Sequence, residues 1–476
     1  MAMNFKTQNT FFILLSLLMV GVLFLMNLNN GFFWDTVQLG SEHATYFLNT
    51  NFSHILLPDS IDSGHIPGFG MYLAWVWKFF GRNLLNSHLA MLPFVIGIVV
   101  QLYQCCIRFL DPKFTGLGLL LLLSDPTLLS QMTLVSPDVP LVFFFLLGFN
   151  SVIKNQKALL TCSLFFLFLT SMRGMMLSIC LLGLDLHCNV SFVKNAKVLW
   201  IRLLQRSVLY IPALLLFLSY NSYHYWVKGW IGYHQNSPWA DCFESVDFKG
   251  FIFNIGMYGW RLLDFGRIGI WLVLVLLVVV YKNKIALTKT TKLLLWFSIG
   301  ILVVLPMNML WAKNLLAPRY LLPIYLIVAL LCASLIFSAK IAERAKYGMA
   351  SGIILILLTG NCWIYPPKIA KGSDASLAHL PYFKLRHQAI QYLDQEKINF
   401  KEVTTFFPNV AVIDFIDLNN DSRNFNAYDG KSTYVFYSNL FNIDDETYDK
   451  LTSKYQIIKQ FKNQGIYVLI FKKPQP

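Results

Sequence analysis

Apolar runs of membrane-spanning length recur over the first three quarters of the chain, separated by short polar stretches, and the last quarter is mixed. Phe11–Leu28 is the first run; Lys6 precedes it and no small-residue cleavage site follows, so it reads as a retained membrane helix. Further runs at approximately 84–107, 114–124, 139–153, 158–171, 174–187, 207–222, 268–281, 293–307, 319–338 and 347–363 bring the predicted spans to eleven. Ile66–Phe80 is ambiguous. It is apolar but holds Pro67, Gly68, Gly70 and Lys78, and it reads either as a span or as an amphipathic helix on the membrane surface. Parity decides between them. With this segment on the surface, Arg108 and Lys113, Lys154 and Lys157, Lys194 through Arg206, Lys282 through Lys292, and Lys340 through Lys346 all face the cytoplasm; as a span it would send every one of them outside, against the positive-inside bias.

On that reading the outer face collects Asp35, Glu42, His65, Asp125, Asp138, Arg173, the segment 221–267, Lys313 and Arg319. The composition changes near Tyr365. From there an amphipathic helix is predicted near Phe383–Lys397, with strands at Val403–Phe407, Ser432–Tyr437 and Gly465–Phe471. The expected organisation is a transmembrane domain over 1–364, with an outer loop at 29–83, and a small soluble α/β domain over 365–476 that lies outside because the span count is odd.

Composition narrows the class. Of 476 residues, 56% are hydrophobic and 13% charged, and the mean hydropathy is +0.53, values of a polytopic membrane protein. The net charge of +14 sits in the short clusters between apolar runs, without a basic face or nucleic-acid module, so no nucleic-acid partner is expected. The eight cysteines form no CxxC pair, which argues against a metal cluster or disulfide scaffold. No internal repeat of 20–50 residues and no paired broken helices mark the inverted-repeat design of many transporters.

Candidate chemistry begins in the polar loop Gly31–Gly70, where Asp35 follows the first span closely enough to sit at the lip of the bilayer. At a helix centre that carboxylate would cost about 2.5–3.5 kcal/mol to insert. Trp34-Asp35-Thr36 with Ala44-Thr45-Tyr46-Phe47, then Gly64-His65-Ile66-Pro67-Gly68-Phe69-Gly70-Met71-Tyr72 and Phe80-Gly81, recur further on with Ser124-Asp125-Pro126, Ser136-Pro137-Asp138-Val139-Pro140-Leu141, Ser171-Met172-Arg173-Gly174 and Ala317-Pro318-Arg319-Tyr320-Leu321-Leu322-Pro323. In this order, over roughly residues 10–325, the chain resembles the GT-C glycosyltransferases, in the branch of the protein O-mannosyltransferases and the bacterial lipid A aminoarabinose transferases. It departs from the family's pattern in lacking a second acidic residue at Thr36, for which Glu42 is the nearest substitute, and in having Ile66 where the family has a second proline.

The resemblance implies a membrane enzyme that moves a sugar from a polyprenyl-phosphate donor to a lipid, glycan or protein acceptor by a single inverting displacement. Such transfer needs a base for the acceptor's proton and cations for the departing phosphate. It implies Asp35 as base, Asp138 as a second catalytic carboxylate orienting the acceptor, and Glu42, His65, Arg173, Arg319 and Tyr320 as substrate-binding residues. Four of them have a plainer reading. Asp35 is also a favoured helix N-cap, His65 a neutral turn residue, and the two arginines ordinary helix-end groups reaching the interface. Trp226, Trp230, Tyr233, Trp239 and Trp260 suit sugar stacking but equally suit interface anchoring. The resemblance makes no cofactor certain and leaves metal dependence open, with Asp35, Glu42 and Asp138 as the carboxylates that would hold a divalent cation. The expected location is a bacterial inner membrane, with the site and C-terminal domain on the periplasmic side. Two rival readings are a non-catalytic carrier of lipid-linked glycan and a membrane-anchored scaffold acting through 365–476.

Overall fold

The structure is a computed structural model, and it describes residues 5–190, 195–232, 234, 240–285, 287–313, 316–369 and 374–474. Lys194, Tyr233 and Trp239 lie outside the described residues. The chain is mostly helical, with a small sheet near its C-terminus.

The helices run α1 (Phe5–Met26), α2 (His43–Asn49), α3 (Gly68–Phe80), α4 (Leu84–Leu89), α5 (Leu92–Phe109), α6 (Thr115–Leu123), α7 (Pro126–Met132), α8 (Asp138–Ile153), α9 (Lys157–Thr170) and α10 (Arg173–Asn189). They continue through α11 (Ala196–Ser207), α12 (Ile211–Lys228), α13 (Ala240–Phe243), α14 (Phe248–Leu263), α15 (Ile268–Val280), α16 (Lys289–Val304), α17 (Met307–Leu310), α18 (Leu322–Ser338) and α19 (Glu343–Thr359). The stretches read as spans from the sequence are mostly helical, with 84–107, 207–222 and 293–307 each running over two helices, but the count of eleven exceeds what helix length and hydropathy support among the described residues. By length and hydropathy, five helices among the described residues are sufficient to cross a membrane, namely Thr7–Met26, Leu84–Phe109, Ala196–Lys228, Lys289–Leu310 and Pro318–Ser338. α14 and α15 pass as a further pair bent by 87°. This is an integral membrane protein. Its centre is α18, buried almost throughout and packed against α6, α15, α16 and α19, while the outer helices keep apolar faces such as Leu14, Leu18 and Leu25 exposed, as lipid contact demands.

The helix ends sort into two faces. At one face Lys113 pairs with Glu343, the Lys340 amide donates to the Lys284 carbonyl (2.7 Å) and Tyr347 Oη to Gln8 Oε1 (3.1 Å). α3 begins and ends at the other face. Gly68 packs on the Leu169 carbonyl at the far end of α9, and Arg82, just past α3, reaches Asp414 in the C-terminal region. At 13 residues α3 is not among the helices that length and hydropathy qualify to cross a membrane.

Beyond α19, α20 (Pro381–Gln395) packs on a five-stranded mixed sheet. Its strands are β1 (Val403–Thr405), β2 (Asn426–Ala427), β3 (Tyr434–Ser438), β4 (Gln456–Asn463) and β5 (Ile466–Lys472), in the order β2-β1-β3-β5-β4. β1 is parallel to β2 and β3; β5 is antiparallel to β3 and β4. Buried Leu385, Ala389 and Leu393 of α20 cover Val468 and Ile470 of β5 in a core of their own. That core also takes in Phe33 and Leu134 from the helical part, so the two parts share an apolar seam beside Asp35.

A candidate active site at the helix ends

The loop after α1 is pinned from two sides. The Phe32 amide donates to the Ile416 carbonyl (2.8 Å), and a Cβ on Gly31 would lie 2.9 Å from both that oxygen and the Asp417 carboxylate. Phe33 stacks on His379 at 5.3 Å, and Trp34, held at φ +54°, sets its ring 5.6 Å from Phe407. Trp34 in this left-handed conformation is uncommon backbone for a bulky residue. The next residue, Asp35, faces the cavity, and the π-helical turn Val37–Glu42 follows.

Asp138 opens α8, Arg173 opens α10, and Arg319 and Tyr320 lie in the short turn before α18, so these residues meet although they are far apart in sequence. They line a cavity of about 320 Å³, together with His43, His65, Ser136 and Asp374. Arg319 is its hub. The guanidinium binds Asp35 through Nη2 and Asp374 through Nη1, and its Nε lies 3.3 Å from Asp138 Oδ2. Nη2 also donates to Tyr320 Oη (3.1 Å), which in turn donates to Asp35 Oδ2 (3.3 Å). Arg173 stands across the cluster, with Nη1 2.5 Å from Asp138 Oδ1 and its guanidinium carbon 4.1 Å from the centre of the Tyr320 ring. That contact with Asp138 is off the hydrogen-bond line, leaving both atoms buried with unused hydrogen-bonding capacity.

Burial pushes the Asp35 carboxyl above its ordinary value. Arg319 opposes that rise, the charges of Asp374 and Asp138 add to it, and Arg173 opposes it. A carboxylate held in this way accepts a proton more readily than an exposed aspartate.

Six of the seven residues singled out from the sequence line the cavity; Glu42 does not. It lies off the wall, with no ion pair among the described residues, and burial raises its carboxyl to about 7. The expectation that it substitutes for a second acidic residue in the site is therefore not met on the cavity wall: Glu42 closes the π-helical turn and is absent from the lining. His65 is on the wall, but burial, with help from Arg173, lowers it to about 4. That direction favours the neutral imidazole, the plainer of the two readings the sequence left open for it. Arg319 also differs from expectation. Three carboxylates already surround it, so it is not a guanidinium open to a phosphate. Among the described residues no group of three His, Cys, Asp or Glu side chains is arranged to hold a metal ion, and the three carboxylates that do converge enclose Arg319 instead.

Asp374 escaped the sequence reading. It lies in polar sequence beyond Tyr365, outside every recognisable element, and nothing in its neighbourhood marks it. Nearby stands a second buried cluster. Arg267 binds Asp125 with two parallel hydrogen bonds (2.8 and 2.9 Å), and Arg261 binds Asp264 (2.9 Å). None of these four residues lines the cavity.

Fold and site together define a helical integral membrane protein with a carboxylate–guanidinium cavity at one face. No protein-family model and no curated protein matches the chain. Two solved structures are similar, crystal structures of ArnT from Cupriavidus metallidurans, one bound to undecaprenyl phosphate and one in the apo state. They are 11% and 10% identical to this chain, cover 97% of it and 98% of their own length, and give a TM-score of 0.48 in both cases. Likeness at this level assigns neither activity nor substrate.

Proposed function

We propose that the chain is a GT-C-type membrane glycosyltransferase that transfers one sugar from a polyprenyl-phosphate carrier to a hydroxyl or amine of a lipid, glycan or protein. The observation that carries this reading is a buried carboxylate of raised proton affinity, Asp35, on the wall of a cavity at the lip of an apolar helical body. The ordered motifs that resemble the GT-C family support it independently, since they supply six of the residues that converge there.

In the proposed reaction Asp35 takes the proton of the acceptor as its oxygen or nitrogen attacks the anomeric carbon. The bond from that carbon to the phosphate oxygen breaks on the opposite side, and polyprenyl phosphate leaves with the electron pair. Arg173 is the cation assigned to the phosphate, because its second partner is an aromatic face rather than another carboxylate. His65 contributes neutral hydrogen bonding, Asp138 orients Arg173 and the acceptor, and Arg319 with Tyr320 holds Asp35 in place. The site belongs, on this proposal, to the periplasmic face of a bacterial inner membrane, with residues 365–476 on the same side. The ionic groups of the site gather at helix ends, whereas a carrier would place such groups near mid-membrane.

The test is transfer of labelled sugar from a panel of polyprenyl-phosphate donors in membranes carrying the native protein or Asp35→Asn at equal abundance. Asparagine keeps the shape but cannot accept the proton. Loss of transfer with donor binding retained is the expected result; undiminished transfer by Asp35→Asn removes Asp35 from the role of base.

A further inference from the structure

Residues 374–379 are fastened to the helical body by side-chain hydrogen bonds from α7. Ser130 Oγ and Gln131 Nε2 both donate to the Asp374 carbonyl (2.7 and 2.9 Å), and Thr127 Oγ1 donates to the Ala375 carbonyl (2.8 Å). Gln131 is held in turn by Ser136 Oγ (2.6 Å), and that oxygen accepts from the amide of Asp138 (3.2 Å). At the end of this segment His379 donates from Nδ1 to the Ser376 carbonyl (2.7 Å) and lies flat on Phe33. The Asp374 carboxylate is 4% exposed as a residue and shares Arg319 with Asp35. The segment leading into the C-terminal sheet therefore contributes a charged side chain to the cavity.

We infer that Asp374 is a positioning residue, supplied by the C-terminal part of the chain, that competes with Asp35 for Arg319 and thereby sets how readily Asp35 takes up the acceptor's proton. This rests on the reading of Asp35 as the base. Two arms of one guanidinium go to two carboxylates, so neither pairing is exclusive. Removing the Asp374 charge leaves Arg319 more fully to Asp35 and takes away a like charge; both changes stabilise the Asp35 carboxylate and weaken it as a base. The other charged or titratable groups around Asp35 are Arg319 and Tyr320 ahead of α18, Asp138 on α8 and Arg173 on α10, with His43 and His65 on the shared wall. The physical consequence is that seating of the C-terminal domain completes the site, so the domain is part of the chemistry and not only a cover.

The experiment follows the proton on Asp35 directly, by infrared titration of the protonated carboxyl stretch in the purified full-length protein, with Asp35→Asn as the blank. In Asp374→Asn the Asp35 midpoint is expected to fall by about one pH unit. The acid limb of the transfer rate should move in the same direction, and Asp374→Glu, which keeps the charge, should stay nearer the native protein. An unchanged midpoint in Asp374→Asn overturns the proposal and leaves Asp374 a strut. If Asp374→Asn does not fold, the double variant Ser130→Ala with Gln131→Ala loosens the segment while keeping its charge. A lowered midpoint there supports the proposal and an unchanged one overturns it. Because the infrared signal needs no reaction, loss of the glycosyltransferase reading, seen as full transfer by Asp35→Asn, is distinguished from loss of this inference.

Discussion

Two buried ionic clusters lie side by side in this protein, and they differ in balance. In one, Arg261 and Arg267 face Asp125 and Asp264. Each carboxylate is also capped by backbone amides, Asp125 by those of Thr127 and Leu128 and Asp264 by that of Phe265. Arg267 is completed by Thr127 Oγ1 (2.5 Å), the Asp264 carbonyl (3.2 Å) and the Tyr325 ring (3.6 Å). In the other, three carboxylates face the two guanidinium groups of Arg173 and Arg319, a cavity opens onto them, and Asp138 Oδ1 and Arg173 Nη1 keep unused capacity. A balanced, fully bonded cluster holds helices together. A cluster with one carboxylate in excess and an open wall leaves proton-accepting power available for a ligand.

The largest expected effect breaks the open cluster. Asp35→Asn should lower sugar transfer by about 10²–10⁴-fold, the usual range for a general base, while the thermal midpoint of the detergent-solubilised protein holds or rises. The rise follows from sign: a carboxyl whose proton affinity is raised by folding costs stability once the pH exceeds its ordinary value of 3.8, and asparagine removes that cost. By the same sign, native transfer should fall on acidification at a higher pH than an exposed aspartate would give.

Breaking the closed cluster should do the opposite. Arg267→Met leaves Asp125 buried and uncompensated, at a cost of about 3–5 kcal/mol. Thermal unfolding and yield should drop sharply, yet transfer per folded molecule should stay within a few-fold of native. A selective loss of transfer with stability intact would erase the distinction between the clusters. A smaller effect is expected from Arg173→Lys, which keeps the charge but loses the planar two-nitrogen geometry and the stacking on Tyr320. Donor binding, read as KM for the polyprenyl-phosphate sugar, should weaken by about tenfold, corresponding to roughly 1.4 kcal/mol, with kcat changed less.

These clusters also mark how far the sequence is legible. Asp35, Asp138, Arg173, Arg319 and Tyr320 all sit at helix ends on one face, and apolar periodicity with charge parity is enough to bring them to that face. Which guanidinium is already occupied is a matter of side-chain partners, and neither spacing nor composition carries it, so Arg319 read as open to phosphate. Asp374 was hidden because its partners are contributed by α7 and the turn before α18, far away in sequence. In the C-terminal part, β1, β3, β5 and α20 follow from their alternating or helical apolar patterns. β4 (Gln456–Asn463) was missed because it is an exposed edge strand without a buried face; its signal was the turn at Gln464-Gly465, both at positive φ, which fits a tight hairpin.

The smallest effect separates the cavity wall from what lies just behind it. Glu42 is within the same polar loop as Asp35 and, unlike it, has neither a guanidinium nor the cavity beside it. Burial alone raises its carboxyl from 4.5 to about 7. Between those two values the folded protein holds a proton that the unfolded chain has released, so the Glu42 contribution to stability declines as pH rises from 4.5 toward 7 and is level above it. Glu42→Gln, which mimics the protonated form, should remove that slope and stabilise the protein at pH 8 by about 2 kcal/mol. Thermal unfolding across this pH range measures it. Sugar transfer should be unchanged, because a residue off the wall has nothing to give the reaction. Loss of transfer in Glu42→Gln would instead return Glu42 to the site and extend the open cluster beyond the cavity observed here.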